Sequence, residues 1–385
     1  MKRFITALVP ILMVSACSTT HSRENRVSME NYYDAQVVID TEETPSEPIR
    51  VFSGEDTSLF YDAKTNQTPI RSNTDSLNVL VLSGGGANGA YGAGVLNGLY
   101  DSGQFEDYSV VTGISAGALM APFAFVGKEM VPEMTNVMLN ISDKDIIGKR
   151  HFLQTLTKDA LSNGDGLQTF IANTYSSELI EGIAAQHRAG KRLLIGTTQF
   201  DSAELVVWNL GAIANSSSKN KVRLIHQILA ASASIPGVFP PQFIQVEENG
   251  KSREELHVDG GLANQMFLFA DHIDYQKISL AMRMTKPPQV HVIRNGLLEM
   301  PYQQTKDKGI ELITRTVKDL TVQQSKGDLY QILYFSQVQG LDVRFTAMGR
   351  DFPQERASKA MFDADYMQSL YQYGYQKVIE GHVWE

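Results

Sequence analysis

Residues 77–117 read LNVLVLSGGGANGAYGAGVLNGLYDSGQFEDYSVVTGISAG, and this stretch decides the fold. Leu77–Leu82 is a short, nearly continuous apolar run ending in glycines, the pattern of a strand buried on both faces. In Ala90–Tyr100, Tyr91, Val95, Leu96 and Leu99 fall at helical spacing, with Gly103 just past the end. Tyr108–Thr112 predicts a second strand and Ala116–Val126 an Ala-rich helix, which Pro122 should kink or end early. Strand, helix, strand at this spacing implies right-handed crossovers and an α/β fold, with helices on both faces of a mainly parallel sheet.

Working outward, the pattern continues. Helices are expected over 166–187 and 222–233, with strands at Arg192–Phe200, Leu205–Leu210 and Glu255–Val258. Lys277–Met282 and Val290–Arg294 also read as strands. A helix near 307–335, a strand near 340–347 and a helix near 355–380 complete the chain. No internal repeat or low-complexity tract interrupts it.

The 385 residues carry 34 Lys+Arg against 43 Asp+Glu, a net charge of −9, which disfavours nucleic acid as a partner. A single cysteine excludes an internal disulfide framework and a Cys-based zinc site. That cysteine, Cys17, follows Lys2 and Arg3, an apolar run from Phe4 to Val14, and the small residues Ser15 and Ala16. Eleven residues of helix span about 16 Å, too short for a bilayer core, so residues 1–16 read as a secretory signal. Val14-Ser15-Ala16-Cys17 resembles the bacterial lipobox, which implies cleavage before Cys17 and lipid on that residue. Ser18 after the cysteine favours, by the same resemblance, the outer membrane of the cell envelope; an ordinary secreted protein is the alternative. Residues 17–75, rich in Ser, Thr, Asn, Glu and Asp, are expected to be a polar tether or irregular extension, with β-like runs at Gln36–Ile39 and Ile49–Phe52. Residues 76–385 form the folded domain.

Three motifs in that domain carry chemistry. Gly113-Ile114-Ser115-Ala116-Gly117 lies between a predicted strand and helix, where glycines permit a sharp turn that lifts the Ser115 hydroxyl clear of the backbone. Gly84-Gly85-Gly86-Ala87-Asn88-Gly89 occupies a second strand-to-helix junction, able to aim N–H groups at a phosphate or an oxyanion. Its GxGxxG spacing raises a dinucleotide site, but no Lys-Ser/Thr follows the glycines, and the next strand ends at the Ser115 turn instead of at an acid. His257-Val258-Asp259-Gly260-Gly261 ends a predicted strand and reads either as a common Asp-Gly turn or as an exposed carboxylate.

In order and spacing, SGGGANG, TGISAG and VDGG resemble the patatin-like phospholipase family, with support from Leu193–Phe200 (LLIGTTQF) and Ala231–Pro241 (ASASIPGVFPP). The resemblance is good over 77–282 and loose over 283–385. It implies a three-layer α/β/α fold and a lipid acyl hydrolase that uses a Ser–Asp dyad, acts on phospholipids or lysophospholipids, and needs neither metal nor organic cofactor. Ser115 maps to the nucleophile, Asp259 to the proton acceptor, and Gly84, Gly85 and Gly86 to the oxyanion loop. Gly89, Gly113, Gly117, Gly260 and Gly261 complete the motifs. Asn88 stands where the family usually carries Lys or Arg. The rival from another class is a catalytically silent lipoprotein that binds lipid or a protein partner.

Other residues compete for roles. Asp259 followed by His272, His291 or His382 would satisfy the order of an α/β-hydrolase triad. His257 shares a strand face with Asp259 and is expected to make a structural hydrogen bond. His226 reads as helix packing or surface. Asp143, Asp145 and Asp165 match no calcium loop and read as solvated. Met120, Phe123 and Phe125 within Ala118–Val126 fit core packing and an acyl-chain groove equally well.

Overall fold

The computed structural model describes residues 21–40, 46–55, 59–147, 162, 164–268, 272–353, 356, 358 and 360–385. The signal and Cys17 lie outside these residues. Ten strands form one sheet: β1 (Gln36–Val37), β2 (Arg50–Phe52), β3 (Asn78–Leu82), β4 (Val110–Ile114), β5 (Arg192–Gln199), β6 (Glu204–Asn209), β7 (Gln242–Glu248), β8 (Lys251–Asp259), β9 (Gln289–Leu297) and β10 (Asp342–Met348). Their order is β1-β7-β8-β5-β4-β3-β9-β10, and β6 pairs with β5 and carries β2. From β10 through β9, β3 and β4 to β5 every pairing is parallel. Beyond β5 the pairings with β8, β6, β7, β1 and β2 are antiparallel. The parallel character read from the sequence therefore holds in the half that carries the glycine loop and Ser115.

Eleven α-helices are found among the described residues: α1 (Gly89–Asp101), α2 (Ala116–Val126), α3 (Val131–Leu139), α4 (Asp143–Ile146), α5 (Asp165–Thr174), α6 (Ser177–Arg188), α7 (Leu210–Asn215), α8 (Lys221–Ser232), α9 (Tyr275–Ala281), α10 (Gly309–Gln339) and α11 (Ala364–Ile379). All five residues of β3 are buried, and they alternate between two cores. Leu80 and Leu82 pack into the layer built from α1, α2, α3, α5, α6, α8 and α11. Val79 and Val81 pack into the opposite layer, which takes in α9, α10 and residues 59–70. The result is the three-layer α/β/α arrangement, and burial on both faces explains why β3 has no polar alternation. No helix among the described residues is long and apolar enough to cross a membrane.

Several expectations are corrected. Lys277–Met282 belongs to helix α9, not to a strand. Asp274 caps it by accepting the Lys277 N–H at 2.9 Å, and Tyr275 and Ile278, three residues apart, are buried while Leu280 is exposed. The single helix expected over 166–187 is two, α5 and α6, with Ser176 capping the second. Pro122 does not end α2, which runs on to Val126. Strand β7 and helix α3 had not been anticipated.

In residues 21–75 the β-like runs expected at Gln36–Ile39 and Ile49–Phe52 contain strands β1 and β2, while the tether expectation is corrected. In its described parts this segment is docked on the body: β1 pairs with β7, β2 pairs with β6, and Val51, Phe52, Leu59, Phe60 and Ile70 are buried. Most of its described polar residues are exposed, but two of its charges have buried partners. Glu47 meets the buried Arg192, and Arg50 meets the buried Glu255. Composition gave no sign of these two long-range partners.

Candidate active site

β5 acts as a ruler for the site. Its residues 192–196 run parallel to β4, and its residues 197–199 pair with β8 running the other way. β6 pairs along 194–199, so it takes the opposite edge of β5 and leaves β4 and β8 to share one edge. β4 and β8 therefore meet tip to tip: Ile114 registers with Gly196, and Asp259 with Thr197. Two side chains separated by 144 residues of sequence are brought together by neighbouring residues of one strand.

Past the tip of β4 the chain turns sharply at Ser115, whose φ of 52° and ψ of −120° lie in a region few side chains adopt. The turn is possible because α2 packs against the strand layer at Gly117, where a Cβ would stand 2.2 Å from the Leu82 carbonyl oxygen. The Ser115 N–H donates to Ser232 Oγ at 3.0 Å, and Ser232 Oγ donates to the Gly196 carbonyl at 2.7 Å, so α8 holds the strained residue to the ruler strand.

The Ser115 hydroxyl donates to Asp259 Oδ2 at 2.7 Å. Asp259 Oδ1 accepts the Gly261 N–H at 2.7 Å. The backbone of Asp259 is also pinned, its N–H to the Ser234 carbonyl at 3.0 Å and its carbonyl by Thr198 Oγ1 at 2.9 Å. Ser115 is 6% exposed and Asp259 4%. Burial raises the Asp259 pKa from 3.8 to about 6, while the bonds from Ser115 and Gly261 pull it partly back. Among the described residues no cation forms a salt bridge with Asp259.

The glycine loop runs beside the serine. A Cβ on Gly84 would lie 3.3 Å from that of Ser115, which measures how close the two backbones come. The Gly84 N–H is committed within the fold to the Gln265 carbonyl at 2.8 Å. Gly85 packs so tightly on Asn295 that a Cβ would fall 2.2 Å from its carbonyl oxygen. Gly86 and Asn88 form a short 3-10 turn, and Gly89 opens α1. Gly113 is the fourth residue of β4, and Gly260 and Gly261 open a 3-10 turn directly after Asp259. Asn88 Oδ1 accepts the Tyr366 hydroxyl at 3.0 Å.

The other candidates fall elsewhere. Among the described residues no histidine bonds to Asp259, so the triad that residue order had allowed is not assembled. His272 bonds the Ser53 carbonyl and His226 the Tyr175 carbonyl, while His291 lies between the rings of Tyr108 and Trp384. His257 bonds Thr197 Oγ1 and Glu255. Met120, Phe123 and Phe125 are buried as core, with Phe123 against Tyr175. Asp143, expected to be solvated, instead accepts the N–H groups of Met361 and Phe362 at 3.0 and 2.8 Å.

Sequence reasoning missed the supports: Ser232, Ser234, Gln265, Arg294 and Asn295. For the serines the signal was the polar alternation in ASAS at the end of a helix. For Arg294 and Asn295 it was a charge and an amide inside the buried run of β9.

A model of the patatin-like phospholipase family matches residues 80–270, from the glycine loop past Asp259. No curated protein is significantly similar to the chain in sequence. Among solved structures, VipD from Legionella pneumophila is 11% identical with a TM-score of 0.37, covering 90% of this chain and 72% of VipD. The type III effector ExoU is 13% identical with a TM-score of 0.34, covering 81% of this chain and 54% of ExoU, so the chain spans about half of that protein. Likenesses of this size are too weak to carry the assignment, which rests on the family match. Residues 80–270 belong to the patatin-like phospholipase family, a class of lipid acyl hydrolases.

Proposed function

We propose that the chain hydrolyses acyl esters of phospholipids or lysophospholipids with Ser115 as nucleophile and Asp259 as base. The observation that carries this reading is the 2.7 Å bond between a backbone-strained serine and a buried carboxylate that no cation neutralises. An ordinary carboxylate near pKa 4 is a weak base for a hydroxyl, and burial moves Asp259 toward neutrality, where it accepts a proton more readily.

In acylation, Ser115 Oγ attacks the ester carbonyl carbon and its proton passes to Asp259 Oδ2. The carbonyl oxygen becomes an oxyanion that the N–H groups of Gly85 and Gly86 receive, since the Gly84 N–H is already committed to Gln265. Collapse breaks the bond to the alcohol, which leaves with the proton held by Asp259. Water then attacks the acyl-serine, gives its proton to Asp259, and fatty acid departs as the proton returns to Ser115.

The same reading includes anchoring. Cleavage before Cys17 and lipidation there would hold the domain at the bacterial envelope, on the outer membrane, and raise the local concentration of lipid ester. Loss of palmitate label in Cys17→Ala supports the anchor, and unchanged label overturns it.

The deciding assay incubates the purified chain with phosphatidylethanolamine and its lyso form and measures free fatty acid. Release that vanishes in Ser115→Ala and in Asp259→Asn is the expected result. No release, together with no fluorophosphonate labelling of Ser115, would make the chain a binding protein on a hydrolase fold.

A further inference from the structure

The glycine loop rests on a buried cation. Arg294 and Asn295 lie in the C-terminal part of β9, and both side chains reach the loop. Asn295 donates through Nδ2 to the Ser83 carbonyl and through its N–H to Ser83 Oγ, each at 2.8 Å, and its Oδ1 accepts the Gly92 N–H at 3.0 Å. Arg294 Nη1 donates to the Gly84 carbonyl at 2.7 Å, to Ser83 Oγ at 3.2 Å and to Gln265 Oε1 at 3.4 Å.

The company Arg294 keeps is unusual. It is 4% exposed, and these acceptors are all neutral. Among the described residues it forms no salt bridge, and its buried Nε has no partner. Asp328 on α10 offsets the charge from a distance, but its carboxylate is occupied by the N–H groups of Gln265 and Met266 and by Asn264. Burial makes Arg294 a weaker cation than usual, with a pKa lowered to about 10, yet leaves it charged at neutral pH. Burial of a guanidinium without a direct ion-pair partner is costly, so its retention here calls for a reason.

Peptide geometry supplies one. In a trans peptide the carbonyl and the following N–H point in opposite directions. With the Gly84 carbonyl held toward Arg294 behind the loop, the Gly85 N–H is turned to the other side of that peptide. A full charge on the carbonyl also polarises the amide and makes the N–H a stronger donor. Asn88 brings no charge to this turn.

We propose that Arg294 is a positioning residue for the oxyanion site: from behind the glycine loop it fixes the Gly84–Gly85 peptide and lends its charge to the Gly85 N–H. The inference rests on the hydrolase reading above and names the source of positive potential for it.

The test compares wild type, Arg294→Gln and Arg294→Lys on a soluble p-nitrophenyl ester and on lysophosphatidylethanolamine, with thermal unfolding of each. Removing the charge should lower kcat about 100-fold while KM stays within about twofold, because only the transition state carries the oxyanion. The lysine variant, which keeps charge near the loop, should recover at least about tenfold of that loss. A purely structural role predicts instead a lowered unfolding temperature with kcat per folded molecule preserved, and that result overturns the inference, as does a loss confined to KM. Should Arg294→Gln not fold, the wild type still decides. Its Gly85 amide proton should move downfield when Ser115 is phosphonylated, and an unmoved resonance overturns the inference. A wild type that neither turns over ester nor takes the phosphonate removes the hydrolase reading itself. Turnover in wild type with undiminished Arg294→Gln removes only the role of Arg294.

Discussion

Glu255 and Asp259 sit four residues apart on β8, on the same face of the strand and both buried, yet they are treated oppositely. Burial opposes the ionised form of both. At Glu255 it is overcome by the Arg50 guanidinium, which bonds the carboxylate through both Nη atoms, and by His257, so its pKa is held below the ordinary value. At Asp259 the described residues offer a hydroxyl and one backbone N–H to the carboxylate, and the pKa rises to about 6. The difference is one cation. With it, a buried carboxylate stays ionised; without it, the carboxylate is pushed toward its protonated form, as the proposed role of Asp259 as base requires.

The sharpest way to break this contrast is to remove the reactive partner. Ser115→Ala and Asp259→Asn should each lower kcat by at least about 10³-fold, and the double variant should be little worse than either, since the two act as a unit. Fatty acid release measured for the three proteins checks this; additive losses would mean that Asp259 acts independently of Ser115. On the structural side, Glu255→Gln leaves Arg50 buried without its counter-charge and should cost about 3–5 kcal/mol of stability, read by denaturant unfolding at pH 7.

Asp259→Asn should do the reverse to the fold. A pKa raised from 3.8 to about 6 means that the native state favours the protonated form, so the ionised carboxylate costs stability at neutral pH. Roughly two pKa units correspond to about 3 kcal/mol, and Asp259→Asn should unfold at a higher temperature than wild type while being inactive. The signs follow for each group. The contribution of Asp259 is most favourable below pH 3.8 and is lost as pH rises through about 6. That of Glu255 is present above its ordinary 4.5 and is lost as pH falls through its lowered value. Turnover should rise about tenfold per pH unit below 6 and level off above it, as a kcat profile would record. The smallest effect is expected at the loop, where Asn88→Arg should keep or modestly raise turnover; a large fall in kcat would show that the bond to Tyr366 matters more than added charge.

What was legible in the sequence was local. The elbow at Ser115, the glycine loop and the Asp-Gly-Gly turn are each encoded within a few residues, and β3 shows its burial in its own composition. What acts across space was hidden. Nothing near Arg294 states that its guanidinium ends on the carbonyl of Gly84, 210 residues earlier. Glu47 and Arg50 could not be read as counter-ions because their partners, Arg192 and Glu255, lie elsewhere in the chain. α9 was misread for a simpler reason: in a short apolar run the helical and strand periods overlap, and Asp274, the residue that distinguishes them, lay just outside it.

The docking of the N-terminal segment gives the molecule a direction of mechanical weakness. Its β1 joins β7 through two residues, the Val27 N–H donates to the Glu254 carbonyl, and Arg50 clasps Glu255. These three attachments fall on the β7–β8 hairpin, while the Glu47–Arg192 ion pair and the β2–β6 pairing tie the same segment to the parallel part of β5 and to β6. Tension applied at residue 21 would therefore peel β1 like a zipper from the hairpin first, and only then draw on Arg192 of β5 through Glu47 and on Glu255 of β8 through Arg50. A pull on the N-terminus would thus reach the hairpin that carries Asp259 before it reaches β5, along which both tips are held.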